Sequence, residues 1–360
     1  MSCKDYNFYN FRSKMILQLV KEDNEVILNC PYGEKIDYFT NRGCKFIDIR
    51  IDRRGKNLVK DFKLLMDYYR IIRRVSPDLV LAFAGKTAIY AGFVCGLLKV
   101  PCIINNAGLT EATETFRKFL DTLYWFGFHK ATCMMYQNKE ERDVINRIVK
   151  NKVPYREIPG SGVDLDEFYF CPYPKSDNPV IFDYVGRIVN TKGINEYLEC
   201  ARRIRQKHHN TVFRVFGAYD DVTYKELIQK YSDENIIEYY GVQMDMKPFI
   251  KECHAAIHPS YYEGMTNVVL EHSSMGRVCI GSNIAGVAEG IEEGKTGFLF
   301  EVKNVDSMVT AVERFLSLSN EQKAQFGYAA RKKMEREFNR QIVTEIYMQE
   351  IEKISMGVKR

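Results

Sequence analysis

The fold is decided by a stretch in the second half of the chain, AAIHPSYYEGMTNVVLE at residues 255–271. Its first four residues, Ala255 to His258, predict a buried strand, and a polar loop separates them from a run that predicts a helix. Parallel sheets are built from this order of strand, loop and helix, and they hold ligands at the carboxyl ends of their strands. The loop is therefore the first candidate for a functional site.

Small and polar residues dominate this loop. Four consecutive residues should present successive backbone N–H groups: Gly264, Met265, Thr266 and Asn267. Thr266 or Asn267 would cap the helix. Glu263 can accept hydrogen bonds from sugar hydroxyls, and Glu271, about one turn into the helix, can reach a ribose diol. The alternative is a capping loop with one glutamate that faces solvent.

A second strand end, VGRIVNTKG at residues 185–193, has the same order of strand, loop and helix. We expect Gly186 to let the backbone turn without a Cβ clash. Arg187 offers a rigid fork for two phosphate oxygens, and Lys192 is a mobile charge at the start of a helix whose N–H groups favour anions. The alternative is a surface loop with two ordinary basic residues.

Strands alternate with helices along the whole chain, which favours parallel sheets covered on both faces. The strand candidates are 25–28, 45–49, 78–82, 100–104, 180–185, 212–216, 236–240, 255–258 and 278–280. Helices are predicted between them, for example at 60–74, and a long polar helix from about Gln322 closes the chain. The predicted fold is α/β, with two Rossmann-like doubly wound domains that face a cleft.

The domain boundary is predicted at CPYPKSDNP, residues 171–179, because three prolines in nine residues exclude a helix or a central strand. This gives a first domain at 1–172 and a second domain at 173–345. Residues 346–360 would form a helix end that packs back toward the first domain. The first helix, at about 11–22, leaves no room for a preceding strand. We therefore expect an N-terminal domain that lacks its first strand, and favour a truncated or misassigned start.

Composition and charge narrow the class of protein. The 360 residues are 46% hydrophobic and 28% charged, as in soluble globular proteins, and we expect no signal peptide. Ten scattered cysteines are interpreted as small buried side chains in a reducing cytosol. The net charge is +5, and residues 1–172 hold 27 basic against 21 acidic residues. No stripe of arginines and aromatics favours nucleic acid, whereas an anionic membrane surface or an anionic acceptor fits this charge.

The two loops together resemble the glycosyltransferases of family four, which have the GT-B fold. The family signature is G-R, then K-G, then E-G-x-x-N-x-x-x-E, and it is matched by Gly186, Arg187, Lys192, Gly193, Glu263, Gly264, Asn267 and Glu271. Residues 282–290 and 297–299 resemble the stretch that follows, and 240–245, with Val242, resembles the nucleotide-base loop. The resemblance implies a retaining, metal-independent transferase with a nucleotide diphosphate sugar, UDP-linked in relatives, as donor. Catalytic roles would fall to Glu263, Arg187 and Lys192.

Segments of the first half resemble capsule and O-antigen enzymes of this family that act on undecaprenyl diphosphate-linked acceptors, to which many of them add N-acetylgalactosamine or another sugar. These segments are FYNFR at 8–12, PYG at 31–33, IDRRG at 51–55 and IPGSGVD at 158–164. The implied acceptor is lipid-linked or a glycan, with Arg12 and Lys86 on the acceptor side. For Lys86 the alternative is a solvated loop lysine, and the missing glycines at Val80 and Glu289 exclude a P-loop at both GKT tripeptides.

Three further expectations follow. We expect neither a metal ion nor a cofactor, since Arg187, Lys192 and the loop amides would stabilise the departing phosphate. We expect a cytoplasmic protein. For the basic and aromatic stretch at 117–126 the favoured interpretation is an ordinary amphipathic helix packed on the sheet, and the alternative is peripheral contact to the inner face of the plasma membrane. Two rival functions remain: a nucleotide-sugar 2-epimerase on the same scaffold, and a descendant that binds sugar nucleotides without catalysis.

Overall fold

The computed structural model describes residues 1–52, 57–83, 85–106, 114–176 and 178–358. It contains two compact α/β units: the N-terminal unit (Met1–Ser161 with Gln341–Arg360) and the C-terminal unit (Gly162–Arg340). Part of the segment at 51–55 lies outside the described residues. None of the helices described is at once long enough and apolar enough to span a bilayer.

The N-terminal unit alternates strands with helices. Its elements are α1 (Asp5–Lys21), β1 (Ile27–Cys30), α2 (Lys35–Thr40), β2 (Lys45–Asp48), α3 (Leu58–Val75), β3 (Val80–Phe83), α4 (Gly85–Leu98), β4 (Cys102–Asn105), α5 (Glu114–Phe128), β5 (Cys133–Tyr136), α6 (Lys139–Ile148) and β6 (Tyr155–Glu157). The pairings β1–β2 and β3–β4–β5–β6 are all parallel. In α3, the side chains of Leu64, Tyr68 and Ile72 recur every four residues and are buried, so this face of the helix packs on the sheet.

The described part of this sheet has two pieces, and the first two residues of the chain bridge them. The Met1 ammonium donates a hydrogen bond to Leu81 O at 2.6 Å, and Phe83 N–H donates to Met1 O at 3.0 Å. On the other side, Ser2 N–H donates to Asn29 O at 3.0 Å. Met1 and Ser2 thus lie between β1 and β3. The helix that follows begins earlier than predicted, at Asp5.

The C-terminal unit has one six-stranded parallel sheet in the order β12-β11-β10-β7-β8-β9. Its elements are β7 (Val180–Val185), α7 (Ile194–Lys207), β8 (Thr211–Phe216), α8 (Tyr224–Asp233), β9 (Glu238–Gly241), α9 (Lys247–Glu252), β10 (Ala255–His258), α10 (Asn267–Ser274), β11 (Val278–Ser282), α11 (Ala285–Ala288), β12 (Gly297–Phe300), α12 (Val305–Leu316) and α13 (Asn320–Glu337). Successive strands run outward in one direction from β7 and in the other from β10. The switch point therefore lies between β7 and β10, and a doubly wound sheet opens its ligand crevice at the carboxyl ends of such strands.

The division between the units falls at Ser161/Gly162 and Arg340/Gln341, whereas the sequence placed it at 172/173 and 345/346. The proline-rich segment is not a linker, because its first residue is hydrogen-bonded to the C-terminal unit. Cys171 N–H donates to Met275 O, and the Arg277 guanidinium donates to Cys171 O. Prolines thus mark a surface loop of this unit.

The predicted closing helix is two helices. The first, α13, begins with a capping box between Ser319 and Gln322, and α14 (Arg340–Val358) follows it. Val343, Tyr347 and Ile354 of α14 are buried in the core of the N-terminal unit, where the rings of Tyr347 and Phe83 lie 6.2 Å apart. All ten cysteines are buried and unpaired, as expected.

Candidate functional site

Two segments leave the sheet at the switch point of the C-terminal unit. The first turn (Gly186–Gly193) follows β7, and the second loop (Pro259–Thr266) follows β10. Their backbones are in direct contact: Tyr261 N–H donates to Thr191 O at 3.0 Å, and a Cβ on Gly193 would lie 2.1 Å from Pro259 O. Gly193 also has a φ of +70°, so glycine is required here both for conformation and for space.

This contact brings two of the predicted catalytic residues together. Lys192 Nζ lies 2.6 Å from Glu263 Oε1, and both side chains are largely buried, at 17% and 16% exposure. Lys192 also donates to Ser260 Oγ at 3.4 Å. A cation and a carboxylate from segments 71 residues apart therefore meet at the edge where a ligand is expected.

The third predicted catalytic residue, Arg187, is half exposed and forms an ion pair with Asp220. Its backbone carbonyl accepts a hydrogen bond from the buried Tyr184 hydroxyl at 3.0 Å, which fixes the start of the first turn. The guanidinium is thus accessible to a ligand that enters from solvent. Asp220, a partner that the sequence did not predict, holds the guanidinium in position.

A histidine that the sequence did not single out completes the pair. The ring nitrogen Nε2 of His258, the last residue of β10, lies 3.0 Å from Glu263 Oε1. Burial alone would raise the pKa of Glu263, but the hydrogen bond from His258 and the charge of Lys192 outweigh it and lower this pKa to about 2. Glu263 is therefore a carboxylate throughout the physiological pH range. His258 lies at the end of a strand, and this position in the sequence could have identified it as a candidate.

The structural reason given for Gly186 was wrong. A Cβ at this position would meet only the Tyr184 side chain, at 3.5 Å and beyond, which is ordinary contact. The glycine that the turn requires is Gly217, after β8, where a Cβ would lie 1.8 Å from Gly186 O and φ is +147°. The absence of a side chain at Gly186 thus leaves room at the site without being needed for folding.

The expected run of backbone donors is also corrected. Thr266 is the N-cap residue of α10, but its side chain makes no capping hydrogen bond, and its N–H donates to Gly286 O at 3.0 Å. Met265 is a core residue, buried with Leu270. The residues after β11 pack closely against the second loop, since a Cβ on Gly286 would lie only 2.5 Å from Gly264 O. Of the four predicted residues, Thr266 therefore directs its N–H into the protein.

Glu271 lies on α10, one turn from Asn267, and is partly buried. Burial raises its pKa to about 7, against the opposing charges of Arg340 and Lys247. Its carboxyl group therefore keeps its proton to a higher pH than an ordinary glutamate. A raised pKa combined with a position beside a ligand crevice is typical of functional carboxylates.

The remaining predicted residues lie apart from this pair. Val242 follows β9 and is 60% exposed. Lys86, near the start of α4, forms an ion pair with Asp61 at 2.7 Å, so it is not a solvated loop lysine. Arg12 is buried, with its guanidinium 5.0 Å from the Phe83 ring and 5.5 Å from the Tyr347 ring.

One group of metal-ligating side chains occurs in the described part of the chain. Ligand atoms of Asp183, Cys253 and His272 lie within 4.8 Å of one another, and all three residues are buried. The Arg214 guanidinium already binds both Asp183 oxygens, at 2.7 and 3.1 Å, so this cluster has an internal cation. Asp164, Leu165 and Asp166 form a D-x-D tripeptide, a pattern that can hold a metal-bound diphosphate. Here it lies in a turn, in which Asp164 Oδ1 accepts from Asp166 N–H.

The chain thus has two Rossmann-like units, with a lysine–carboxylate pair at the switch point of the second. Residues 166–333 match the family model described as glycosyl transferases group 1, and residues 5–138 match that described as glycosyl transferase 4-like. The two matches together cover more than four fifths of the chain. Each half of the chain therefore matches a glycosyltransferase family model, and the chain is a glycosyltransferase.

Named relatives agree with this class. The chain is 27% identical over 282 residues to UDP-Gal:alpha-D-GlcNAc-diphosphoundecaprenol alpha-1,3-galactosyltransferase of Escherichia coli, covering 72% of each protein. It is 28% identical over 348 residues to the capsular polysaccharide biosynthesis glycosyltransferase CapM of Staphylococcus aureus, covering 91% of this chain and 89% of that protein. The fold is similar to that of Alr3699/HepE of Anabaena in complex with UDP, with a TM-score of 0.77, 12% identity and 98% of each chain covered.

Proposed function

We propose that this glycosyltransferase moves a hexose or N-acetylhexosamine from a UDP-linked donor to a lipid-linked or glycan acceptor in surface polysaccharide synthesis, with retention of configuration. The observation that carries the proposal is the contact of Lys192 with Glu263 at the switch point of the C-terminal unit. The names of the relatives support the rest: one uses UDP-galactose and a diphosphoundecaprenol acceptor, and another acts in capsule synthesis.

The donor fits the first turn and the second loop. Its diphosphate would lie against Gly186, where no side chain intervenes, and would accept hydrogen bonds from Arg187 and Lys192. Hydrogen bonds to charged groups contribute about 1.5–3 kcal/mol each. Glu263 would accept from the sugar hydroxyls, Glu271 from the ribose diol, and the exposed loop at Val242 would contact the base.

The reaction breaks the bond between C1 of the sugar and an oxygen of the β-phosphate. The acceptor oxygen forms its bond to C1 on the same face, and its proton passes to the departing phosphate, so charge and atoms balance. Arg187 and Lys192 stabilise the negative charge on the leaving group, which is the largest electrostatic demand of the step. These two cations can supply the charge without a metal ion or a cofactor.

The acceptor is assigned to the N-terminal unit. Lys86 lies at the start of α4, directly after the carboxyl end of β3, and Arg12 contacts Phe83 and Asn105 at the ends of β3 and β4. Strand ends of a parallel sheet are where such a unit binds ligands. Two cations at this edge suit an acceptor with a diphosphate.

The same unit carries an exposed surface suited to a cytoplasmic membrane face. On α5, Leu120, Tyr124 and Phe128 pack into the core, while Phe119 and Phe126 are 50% and 46% exposed. The lysines at 118 and 130 flank the two phenylalanines and are exposed as well. Aromatic side chains bordered by lysines suit the headgroup layer of an anionic membrane. One face of this amphipathic helix therefore packs on the core, and the other face would contact the membrane.

The function is tested by incubating a panel of sugar nucleotides with an undecaprenyl diphosphate-linked acceptor and analysing the products by mass spectrometry. We expect one sugar to be transferred, by wild type and by the control Lys230→Ala, whose residue is exposed on α8. Lys192→Ala and Glu263→Ala should remain folded and transfer nothing. Normal transfer by both variants would overturn the site. Donor interconversion without acceptor would indicate the epimerase, and UDP binding without turnover the non-catalytic descendant.

Membrane contact is tested separately by flotation with vesicles of phosphatidylcholine, with and without an anionic lipid. The protein should float with anionic vesicles, and Phe119→Ser with Phe126→Ser should abolish flotation. The control Tyr328→Ser changes an aromatic residue that is 53% exposed in the C-terminal unit and should have no effect. Flotation of the double variant equal to wild type would contradict this surface.

A further inference from the structure

One oxygen of Glu263 has two donors from different elements. Lys192 Nζ approaches Oε1 from the first turn at 2.6 Å, and His258 Nε2 approaches it from the end of β10 at 3.0 Å. A carboxylate can only accept, so Nε2 must carry the hydrogen. The two donors hold the carboxylate from two sides.

The two donors differ in mobility. His258 is 4% exposed and ends a strand that is hydrogen-bonded on both sides, with its own register partner at Gly281 of β11. Lys192 lies in a single 3₁₀ turn, Asn190–Lys192, on a long flexible side chain. The imidazole is therefore the fixed donor and the ammonium the mobile one.

The proposed function gives Lys192 a second task. When a diphosphate leaves, the ammonium has to donate to a phosphate oxygen while it also holds Glu263. An ammonium has three donors, and in this structure it directs two of them to Glu263 and Ser260. As Lys192 turns toward the phosphate, only a donor that does not move can keep Glu263 in place.

We propose that His258 is a positioning residue, whose Nε2–H keeps the Glu263 carboxylate oriented toward the transferred sugar while Lys192 serves the leaving phosphate. This inference rests on the proposed function. His258 itself touches neither sugar nor phosphate, so its effect is transmitted through Glu263 alone.

The test compares His258→Leu, which removes the donor, with His258→Gln, which places an N–H donor near the same point. For the leucine variant we expect kcat to fall about tenfold to a hundredfold, the loss for one hydrogen bond to a charged group. The affinity for UDP, which has no sugar, should stay within about twofold of wild type. His258→Gln should recover most of kcat.

A second measurement does not depend on the folding of a variant. Long-range ¹H–¹⁵N spectra of wild type should show a neutral His258 ring protonated at Nε2, or a doubly protonated ring, and an unprotonated Nε2 would overturn the inference. So would a leucine variant with wild-type kcat, or equal losses of UDP affinity and kcat in both variants, which indicate a merely structural role. If wild type transfers no sugar, the proposed function fails instead, so the two failures are distinguishable.

Discussion

Replacing Glu271 with glutamine should stabilise the protein and weaken its binding of UDP. The carboxyl group of Glu271 is held in a site that disfavours its charge, because burial raises its pKa from 4.5 to about 7. Glutamine keeps the size of the side chain and removes the charge. The native carboxylate therefore costs stability, which we attribute to its proposed role as acceptor for a ribose diol.

The magnitude follows from the difference between the two pKa values. Below pH 4.5 the group is protonated in both the folded and the unfolded state, so Glu271 imposes no penalty. The penalty grows as the pH rises, and above pH 7 it is complete. At 1.36 kcal/mol per pKa unit, it amounts to about 1 kcal/mol at pH 5 and about 3 kcal/mol at pH 8.

Scanning calorimetry at pH 5 and pH 8 measures this difference. For a unit of this size, 1 kcal/mol corresponds to about 2–4 °C in Tm, so Glu271→Gln should raise the Tm of the C-terminal unit by about 6–12 °C at pH 8 and by about 2–4 °C at pH 5. The control Glu226→Gln, at an exposed position on α8, should shift Tm little and equally at both pH values. An equal shift of Glu271→Gln at the two pH values would refute the argument from burial. UDP affinity equal to wild type would refute the ribose role.

Three further substitutions separate packing from ligand contact. Gly186→Ala adds a methyl group at ordinary contact distance from Tyr184, so Tm should not change while the Kd for UDP rises at least about tenfold; an unchanged Kd would remove the diphosphate from this turn. Gly286→Ala would place a Cβ 2.5 Å from Gly264 O, so kcat should fall and stability drop by about 1–3 kcal/mol. Gly357→Ala, at a helical position with open space, should leave kcat unchanged and should not lower stability; equal kcat in both variants would contradict the packing of Gly286 behind the second loop. Arg277→Met removes the donor to six backbone carbonyls, so urea unfolding should show a loss of more than about 3 kcal/mol, and a loss below about 1 kcal/mol would contradict this account.

The sequence predicts the strands of the C-terminal unit well where burial and a clear loop coincide. The bounds of β7 and β10 are as predicted, since each is an apolar run that ends at polar loop residues. Three strands were missed: β5, β6 and β12. The first is a short buried run without alternation and the second is wholly exposed, so neither has the periodicity on which strand prediction depends.

The sequence also predicts the residues of the candidate site better than their contacts. Lys192 and Glu263 could be found because each lies in a motif at a strand end. Their contact could not be derived, since it depends on the packing of Gly193 against Pro259. The corrected cases, Gly186 and Thr266, depend on neighbours far away in the sequence. Only the folded structure shows that Gly217 packs against Gly186 O and that Gly286 O accepts the hydrogen bond of Thr266 N–H.

A crystal structure with UDP bound tests the central claim most directly. The account predicts the diphosphate at the carboxyl ends of β7 and β10, with a phosphate oxygen within hydrogen-bond distance of Lys192 Nζ and the ribose hydroxyls on Glu271. A nucleotide bound at any other place on the C-terminal unit, with Lys192 still confined to Glu263 and Ser260, would contradict it.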